Sequence, residues 1–211
     1  MRTILMSSVM AVVLAVAAHP AQAAGVRMYV RHDVTDYAAW RKVYDADTNR
    51  KHNGVTAQAV YQSADNPNDV TVTHDFKTVE AAKAFAASPD LKAAMAKAGV
   101  KGTPQIWFTT LPSGPAAQTR GVRMFVRHDV SDYATWRKGY DGFDATRKEM
   151  GVMGQAVYQS ADNPNDVTVT HDFKTVEAAK AFEESPELFE AMAKAGVKNT
   201  PQAWITTQAA K

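Results

Sequence analysis

Apolar and polar side chains follow two periods along the first half of the chain, one typical of strands and the other of helices. Over residues 26–32 apolar and polar positions alternate, as they do in a half-buried strand. Tyr37, Trp40 and Tyr44 are spaced to share one face of a helix. Runs bounded by turn-forming residues predict further strands over residues 55–63, 70–76 and 105–110.

A second helix is predicted between the third and fourth strands. Thr78 is a good helix cap, the residues after it are rich in Ala and Lys, and Ser88-Pro89 provides a fresh cap at which the helix bends. The order is therefore strand, helix, strand, strand, helix, strand. With right-handed crossovers this order gives a ferredoxin-like βαββαβ unit, in which two helices cover one face of a four-stranded antiparallel sheet. The other face of the sheet is left bare.

The same unit occurs twice. Residues 58–85 return unchanged as residues 155–182, and the wider match joins residues 26–110 to residues 122–207. Such self-similarity indicates a tandem repeat. We divide the chain into four segments. They are a signal peptide at residues 1–23, a first repeat at 24–110, a linker at 111–121 and a second repeat at 122–211.

The bare faces of the two sheets predict how the repeats associate. Domains bury apolar surface between layers, so a sheet uncovered on one side needs a partner. The eleven-residue linker is long enough for one sheet to fold over the other. We expect an α+β protein in which two tandem ferredoxin-like repeats pack sheet to sheet, as an intramolecular dimeric α/β barrel or pseudo-dimer. In the alternative, each repeat pairs with another chain, and further self-association is compatible with both.

Composition and the N-terminus exclude several classes of function. The 211 residues carry a formal charge of +2 with the bases scattered, so no nucleic-acid partner is expected. The absence of cysteine excludes disulfides and thiolate chemistry. A basic start, a short apolar run and Ala21-Gln22-Ala23 predict a signal peptide cleaved after Ala23. We expect a periplasmic or secreted protein with no membrane segment after cleavage; the alternative is an uncleaved N-terminal anchor.

Both repeats resemble the antibiotic biosynthesis monooxygenase-like family of dimeric α/β-barrel domains. The resemblance rests on structural landmarks, which are Met28 to His32, Asp36-Tyr37 with Trp40, His74-Asp75-Phe76, Ser88-Pro89 and Pro104 to Phe108, with their counterparts from Met124 to Ile205. It implies a cavity between two packed sheets that binds small organic molecules. Some members of the family oxidise aromatic compounds without a cofactor, others degrade haem or isomerise lactones, and others have no established activity. No member's catalytic residues can be matched to this chain.

Strand parity selects the candidate binding residues, because alternate side chains point to opposite faces of a sheet. On each strand, the alternate side chains that are mostly apolar belong under the helices. The side chains between them, which are both polar and apolar, belong in the cavity between the repeats. Arg27 is expected to pair with Asp75 across neighbouring strands, whereas Arg31 has no evident partner and is favoured to hold an anionic or carbonyl oxygen. The predicted ligand-binding residues are Tyr29, Arg31, Thr73, Trp107, Phe125, Arg127, Thr170 and Trp204. Packing between the sheets is the alternative role of Trp107.

The histidines of the strands belong to the helix side by the same parity. His32 and His74 would lie near opposite ends of neighbouring strands, too far apart to share a metal ion, so no metal site is predicted. Buried, neutral histidines are the simpler interpretation. If the parity were inverted, His74 and its counterpart His171 would become the leading catalytic candidates, and both are kept for that reason.

Two functions remain open on the sequence. The first is an exported, cofactor-independent oxygenase acting on an electron-rich aromatic molecule that the protein orients and shields from water. The second is a non-catalytic periplasmic ligand-binding or interaction module, favoured by the absence of a clear acid, base or nucleophile in the cavity set. In both, the expected partner is a small organic molecule held between the repeats, and no cofactor is predicted.

Overall fold

The computed structural model describes residues 25–111 and 121–208. The predicted signal peptide and nearly all of the predicted linker lie outside the described residues. Each repeat contains four strands and four helices. In the first repeat the order is β1 (Val26–Val34), α1 (Tyr37–Ala46), α2 (Asn49–His52), β2 (Ala57–Ser63), β3 (Asp69–Phe76), α3 (Val79–Ala86), α4 (Pro89–Lys97) and β4 (Val100–Thr110). In the second repeat it is β5 (Val122–Asp129), α5 (Tyr133–Gly142), α6 (Asp144–Glu149), β6 (Gly154–Gln159), β7 (Asp166–Phe173), α7 (Val176–Glu183), α8 (Pro186–Lys194) and β8 (Gln202–Gln208).

Side-chain caps fix where the helices begin. The Thr78 side chain accepts a hydrogen bond from the Ala81 amide, and the Ser88 side chain accepts one from the Leu91 amide. Pro89 occupies the first turn of α4, where its missing N–H costs nothing. The second predicted helix therefore divides at Ser88 as expected. The first predicted helix also divides, because Asp47 adopts an extended conformation between α1 and α2.

The strands form one eight-stranded antiparallel sheet in the order β4-β1-β3-β2-β8-β5-β7-β6. The two repeats join where β2 pairs with β8, from Tyr61 opposite Gln208 to Ser63 opposite Thr206. The outer strands also meet, because Thr109 of β4 bridges Ser160 at the end of β6 and the Ala161 amide donates to the Phe108 carbonyl at 2.9 Å. The two outer strands of the sheet are therefore joined at this point, which closes the sheet into a barrel.

The closed sheet is buried on both faces. Met28, on the outer face, is fully buried in a core that β1 and β3 form with α3. Tyr29, the next residue, is 1% exposed on the inner face, where rings from both repeats meet. This confirms the predicted strand parity and the predicted dimeric α/β barrel of two ferredoxin-like repeats. Among the described residues, no helix is long and apolar enough to cross a membrane.

Candidate functional site

The barrel interior holds the aromatic residues that the sequence predicts as ligand contacts. The Tyr29 ring stacks on Trp107 with ring centroids 4.8 Å apart, and Phe125 stacks on Trp204 at 5.2 Å. The two tryptophans meet edge to face at 6.0 Å across the boundary between the repeats. These rings therefore pack on one another both within each repeat and across the boundary between the repeats.

Both tryptophans also make hydrogen bonds across that boundary. Trp107 Nε1 donates to Thr168 Oγ1 at 3.0 Å, and Trp204 Nε1 donates to Thr71 Oγ1 at 2.9 Å. Thr73 and Thr170 are each 3% exposed on the same inner face. Contact of these residues with a ligand stays a prediction. In the structure the two tryptophans, with Thr71 and Thr168, join the repeats through a buried, hydrogen-bonded aromatic layer.

Arg31 and Arg127, both predicted to bind a ligand, each form an ion pair with an aspartate. The expectation that Arg31 has no partner was therefore wrong. Arg31 Nη2 donates to Asp69 at 2.6 Å, and Arg127 Nη2 donates to Asp166 at 2.6 Å. Arg31 faces Thr71 in the strand register, and Asp69 lies two residues before Thr71 on the same face. The signal was therefore present in the sequence, as a diagonal cross-strand pair.

Arg27 pairs with Asp75 as predicted. Its Nε and Nη2 atoms donate to the two carboxylate oxygens at 2.6 and 2.8 Å. Burial alone would lower the pKa of Arg27, but the hydrogen bond to Asp75 and the neighbouring phenols outweigh burial and raise it. Arg123 makes the equivalent pair with Asp172 at 2.7 Å. These four residues form buried, charge-neutral pairs inside the barrel.

A pocket lies on the other side of the sheet, beneath the helices of the second repeat. It has a volume of about 180 Å³. The floor comes from the outer faces of β5, β7 and β8, and α5 and α8 form the walls. Its apolar lining includes Met124, Val126, Trp136, Phe143, Val169, Phe182, Leu188, Met192 and Ala203. Small-molecule sites are typically concave, mostly apolar and furnished with few polar groups.

The polar residues of the pocket are His128, Tyr140, Arg147, His171, Glu183 and Thr200. The Tyr140 hydroxyl and His171 Nε2 are hydrogen-bonded at 3.2 Å. The Arg147 guanidinium lies 3.8 Å from the centroid of the Tyr140 ring and donates to Gln155 Oε1 at 2.7 Å. Among the described residues, His171 Nδ1 and both ring nitrogens of His128 have no hydrogen-bond partner. A buried polar atom without a partner costs free energy, so these nitrogens are suited to meet a ligand.

Burial sets the protonation of these groups. It lowers the pKa of His171 to about 3, with the Arg147 charge adding to the effect. Burial also lowers the pKa of His128 to about 4. It raises the pKa of Tyr140 to about 12, although the Arg147 charge offsets part of that rise. At neutral pH both histidines are therefore uncharged, and each has one ring N–H that can donate and one bare ring nitrogen that can accept a hydrogen bond.

The catalytic candidates His74 and His171 occupy equivalent places, one under the helices of each repeat. The Tyr44 hydroxyl and His74 Nε2 are 3.3 Å apart, which repeats the pair in the second half of the chain. His74 lines a smaller pocket of about 50 Å³. Tyr140 and Arg147 were missed as site residues. The helical spacing of Tyr140 predicted core packing, and no local pattern predicts the long reach of Arg147.

Within the described residues, no group of three or more His, Asp or Glu side chains is placed to hold a metal ion. No protein-family model matches the chain, and no curated protein matches it. Among solved structures, an anthrone oxidase-like protein superposes with a TM-score of 0.64 at 9% identity, covering 89% of this chain and 92% of its own. A candidate monooxygenase from Fusobacterium nucleatum superposes at 0.58 and 10% identity, with coverages of 88% and 93%.

A ferredoxin-fold protein from Listeria monocytogenes related to antibiotic biosynthesis monooxygenases matches at a TM-score of 0.50 and 12% identity, covering 89% of this chain and 96% of its own. The chain has the monooxygenase-like fold. These similarities extend over both repeats of the chain. In the monooxygenase-like fold of this chain, the apolar pocket of about 180 Å³ lies between the helices and the sheet of the second repeat.

Proposed function

We propose that the second repeat binds a small, largely apolar organic molecule in the pocket beneath α5 and α8. The observation that carries the proposal is an apolar pocket of about 180 Å³ whose lining includes His171, a histidine with one ring nitrogen, Nδ1, that is buried and has no hydrogen-bond partner among the described residues. An apolar protein cavity of roughly 150 Å³ binds benzene. The pocket is therefore suited to a molecule with one aromatic ring.

The polar wall favours a ring that carries a hydroxyl group. His171 is uncharged because burial lowers its pKa to about 3, so it offers hydrogen bonding without a net charge. A phenol or hydroquinone would place its ring against Trp136 and Phe143 and its hydroxyl toward His171. A carboxylate would lose its hydration here without meeting a free cation, since Arg147 already donates to Tyr140 and Gln155.

Cofactor-independent oxygenation is the second candidate function. It is favoured by the fold, which the chain shares with an anthrone oxidase-like protein and other monooxygenase-like structures. In this reaction, an activated CH₂ group of an aromatic molecule loses two hydrogens and becomes a carbonyl group with one oxygen atom from O₂. The second oxygen atom leaves with those hydrogens as water. The substrate supplies all the electrons, so no reductant or cofactor is required.

The low pKa of His171 favours ligand binding over oxygenation, because His171 is a weak base. A phenol of pKa about 10 would transfer its proton to a histidine of pKa about 3 at a cost of about 9 kcal/mol. General-base catalysis works best with a pKa near the operating pH. Oxygenation in this pocket therefore requires a substrate that is already acidic.

The test is calorimetric titration of the protein with phenol, hydroquinone and benzene, with oxygen uptake recorded on the same samples. His171→Phe keeps a ring but removes the nitrogens, and we expect it to weaken phenol binding about tenfold, the value of one hydrogen bond. His74→Phe is the matched control in the first repeat and should leave the affinity unchanged. Failure of all three compounds to bind at millimolar concentration would rule out the proposed function. Oxygen uptake abolished by His171→Phe would favour the second candidate.

We also propose that the protein acts outside the cytoplasm. The support is the basic, apolar and small-residue pattern at the N-terminus. Intact mass measurement of protein recovered from the periplasm or medium should give a chain beginning at Ala24. A chain beginning at Met1 would contradict this proposal.

A further inference from the structure

The two repeats share their polar pocket residues but differ in the space beneath their helices. Each has the histidine pair and the tyrosine–arginine stack, with Arg50 3.8 Å from the Tyr44 ring centroid and Arg147 at the same distance from Tyr140. The pocket that holds the histidines nevertheless measures about 180 Å³ in the second repeat, against about 50 Å³ in the first, where a separate groove of about 560 Å³ lies between α1 and α4. The lining of the two histidine pockets differs at residues that are not the same in the two repeats.

One change lies on the floor of the pocket. Ile106 of β4 pairs with Val30 in the sheet and packs against the core of the first repeat. The equivalent residue of β8 is Ala203, which pairs with Val126 and lines the larger pocket. Alanine leaves empty the volume that the isoleucine side chain fills, and a packed interior closes such a gap only in part.

A second change lies in the wall. Val43 of α1 lines the small pocket, and its equivalent in α5 is Gly139. A Cβ atom at Gly139 would lie 3.1 Å from the Ala195 Cβ, so α5 and α8 approach closely there because no side chain separates them. The larger pocket has no side chain at this position, where Val43 lines the smaller one.

The rim of the pocket changed in the same direction. Phe189 of α8 lines the pocket and is 57% exposed, and the equivalent residue in the first repeat is Lys92. An exposed phenylalanine at the mouth presents an apolar surface to a molecule that enters, whereas a lysine presents a charge. The floor, wall and rim thus differ together.

We propose that ligand binding is confined to the second repeat, and that Ala203 and Gly139 are the residues that determine it. Ile106 and Val43 fill the equivalent space in the first repeat, which acts as the structural half of the barrel. The inference rests on the proposed function for the chemistry of the ligand, but the difference between the repeats stands on their packing. Each repeat is therefore an internal control for the other.

The test is to soak crystals of the full chain in iodobenzene and to locate the iodine by its anomalous signal. We expect iodine in the second repeat alone. Ala203→Ile should remove it, and Ile106→Ala should create a new site in the first repeat. Circular dichroism checks that each variant is folded, and the two substitutions act in opposite directions on different repeats, so one misfolded variant does not remove the test.

Three results would overturn the inference. They are equal iodine occupancy in both repeats of the unmodified protein, iodine retained at full occupancy in Ala203→Ile, and Ile106→Ala with an unchanged first repeat. Iodobenzene in the second repeat combined with no phenol affinity in solution would overturn the proposed phenol ligand and leave the inference supported. The absence of iodobenzene from both repeats would overturn the proposed function and the inference together.

Discussion

Acidification should unfold this protein through its buried histidines. The affected residues are His32, His74, His128 and His171, each under 8% exposed. Burial is the main cause in every case, and it lowers the pKa of these imidazoles from 6.5 to about 4, 3, 4 and 3 respectively. The folded protein therefore keeps all of them neutral at a pH where the unfolded chain would already bind protons.

The sign and size of the effect follow from linkage. Because the unfolded state binds more protons below pH 6.5, the free energy of unfolding is at its full value above pH 6.5 and falls as the pH drops toward 4. At pH 5, about 1.5 pH units below the imidazole pKa of 6.5, each buried histidine lowers the free energy of unfolding by about 2 kcal/mol. Together they remove about 8 kcal/mol, comparable to the 5–15 kcal/mol that stabilises a typical domain.

The assay is urea unfolding followed by tryptophan fluorescence at pH 8, 6.5 and 5. His171→Gln should reduce the loss between pH 8 and pH 5 by about 2 kcal/mol, because one titrating group is gone. His52 is exposed, so His52→Gln is the matched control and should leave the pH dependence unchanged. A free energy of unfolding at pH 5 within about 1 kcal/mol of its value at pH 8, with the same urea dependence, would refute the reasoning.

Two further predictions concern the barrel interior. Asp75→Ala leaves the Arg27 guanidinium buried without its carboxylate, and we expect a loss of about 3 to 5 kcal/mol in urea unfolding; a loss below about 1 kcal/mol would mean that Arg27 reaches water. Thr168→Val keeps the side-chain shape but leaves Trp107 Nε1 without its acceptor, so it should cost about 1 to 3 kcal/mol; an unchanged midpoint would show that this bond between the repeats contributes nothing.

Much of the fold could be predicted from the sequence, because the repeat and the strand alternation are local patterns. Alternate residues of a strand point to opposite faces, so placing Met28 under the helices also placed Tyr29 in the barrel interior. The pairing of Arg27 with Asp75 followed from the same register. Two bare sheets in one chain then predicted the barrel.

The candidate site was harder to predict, because its features depend on volume and on contacts between distant elements. Parity placed His171 under the helices, but it could not reveal that a pocket opens beside it. That pocket depends on small differences such as Ile106 against Ala203, which leave the hydrophobic pattern unchanged. Arg31 and Asp69 are diagonal neighbours on adjacent strands, and the alternation along a single strand does not predict that they pair.

The most direct test of the account is a crystal structure of the full chain with bound hydroquinone. The account predicts one ring beneath α5 and α8 of the second repeat, with a hydroxyl within hydrogen-bond distance of His171 Nδ1 and none at the equivalent place beside His74. Hydroquinone bound instead between the sheets, among Tyr29, Trp107 and Trp204, would contradict it.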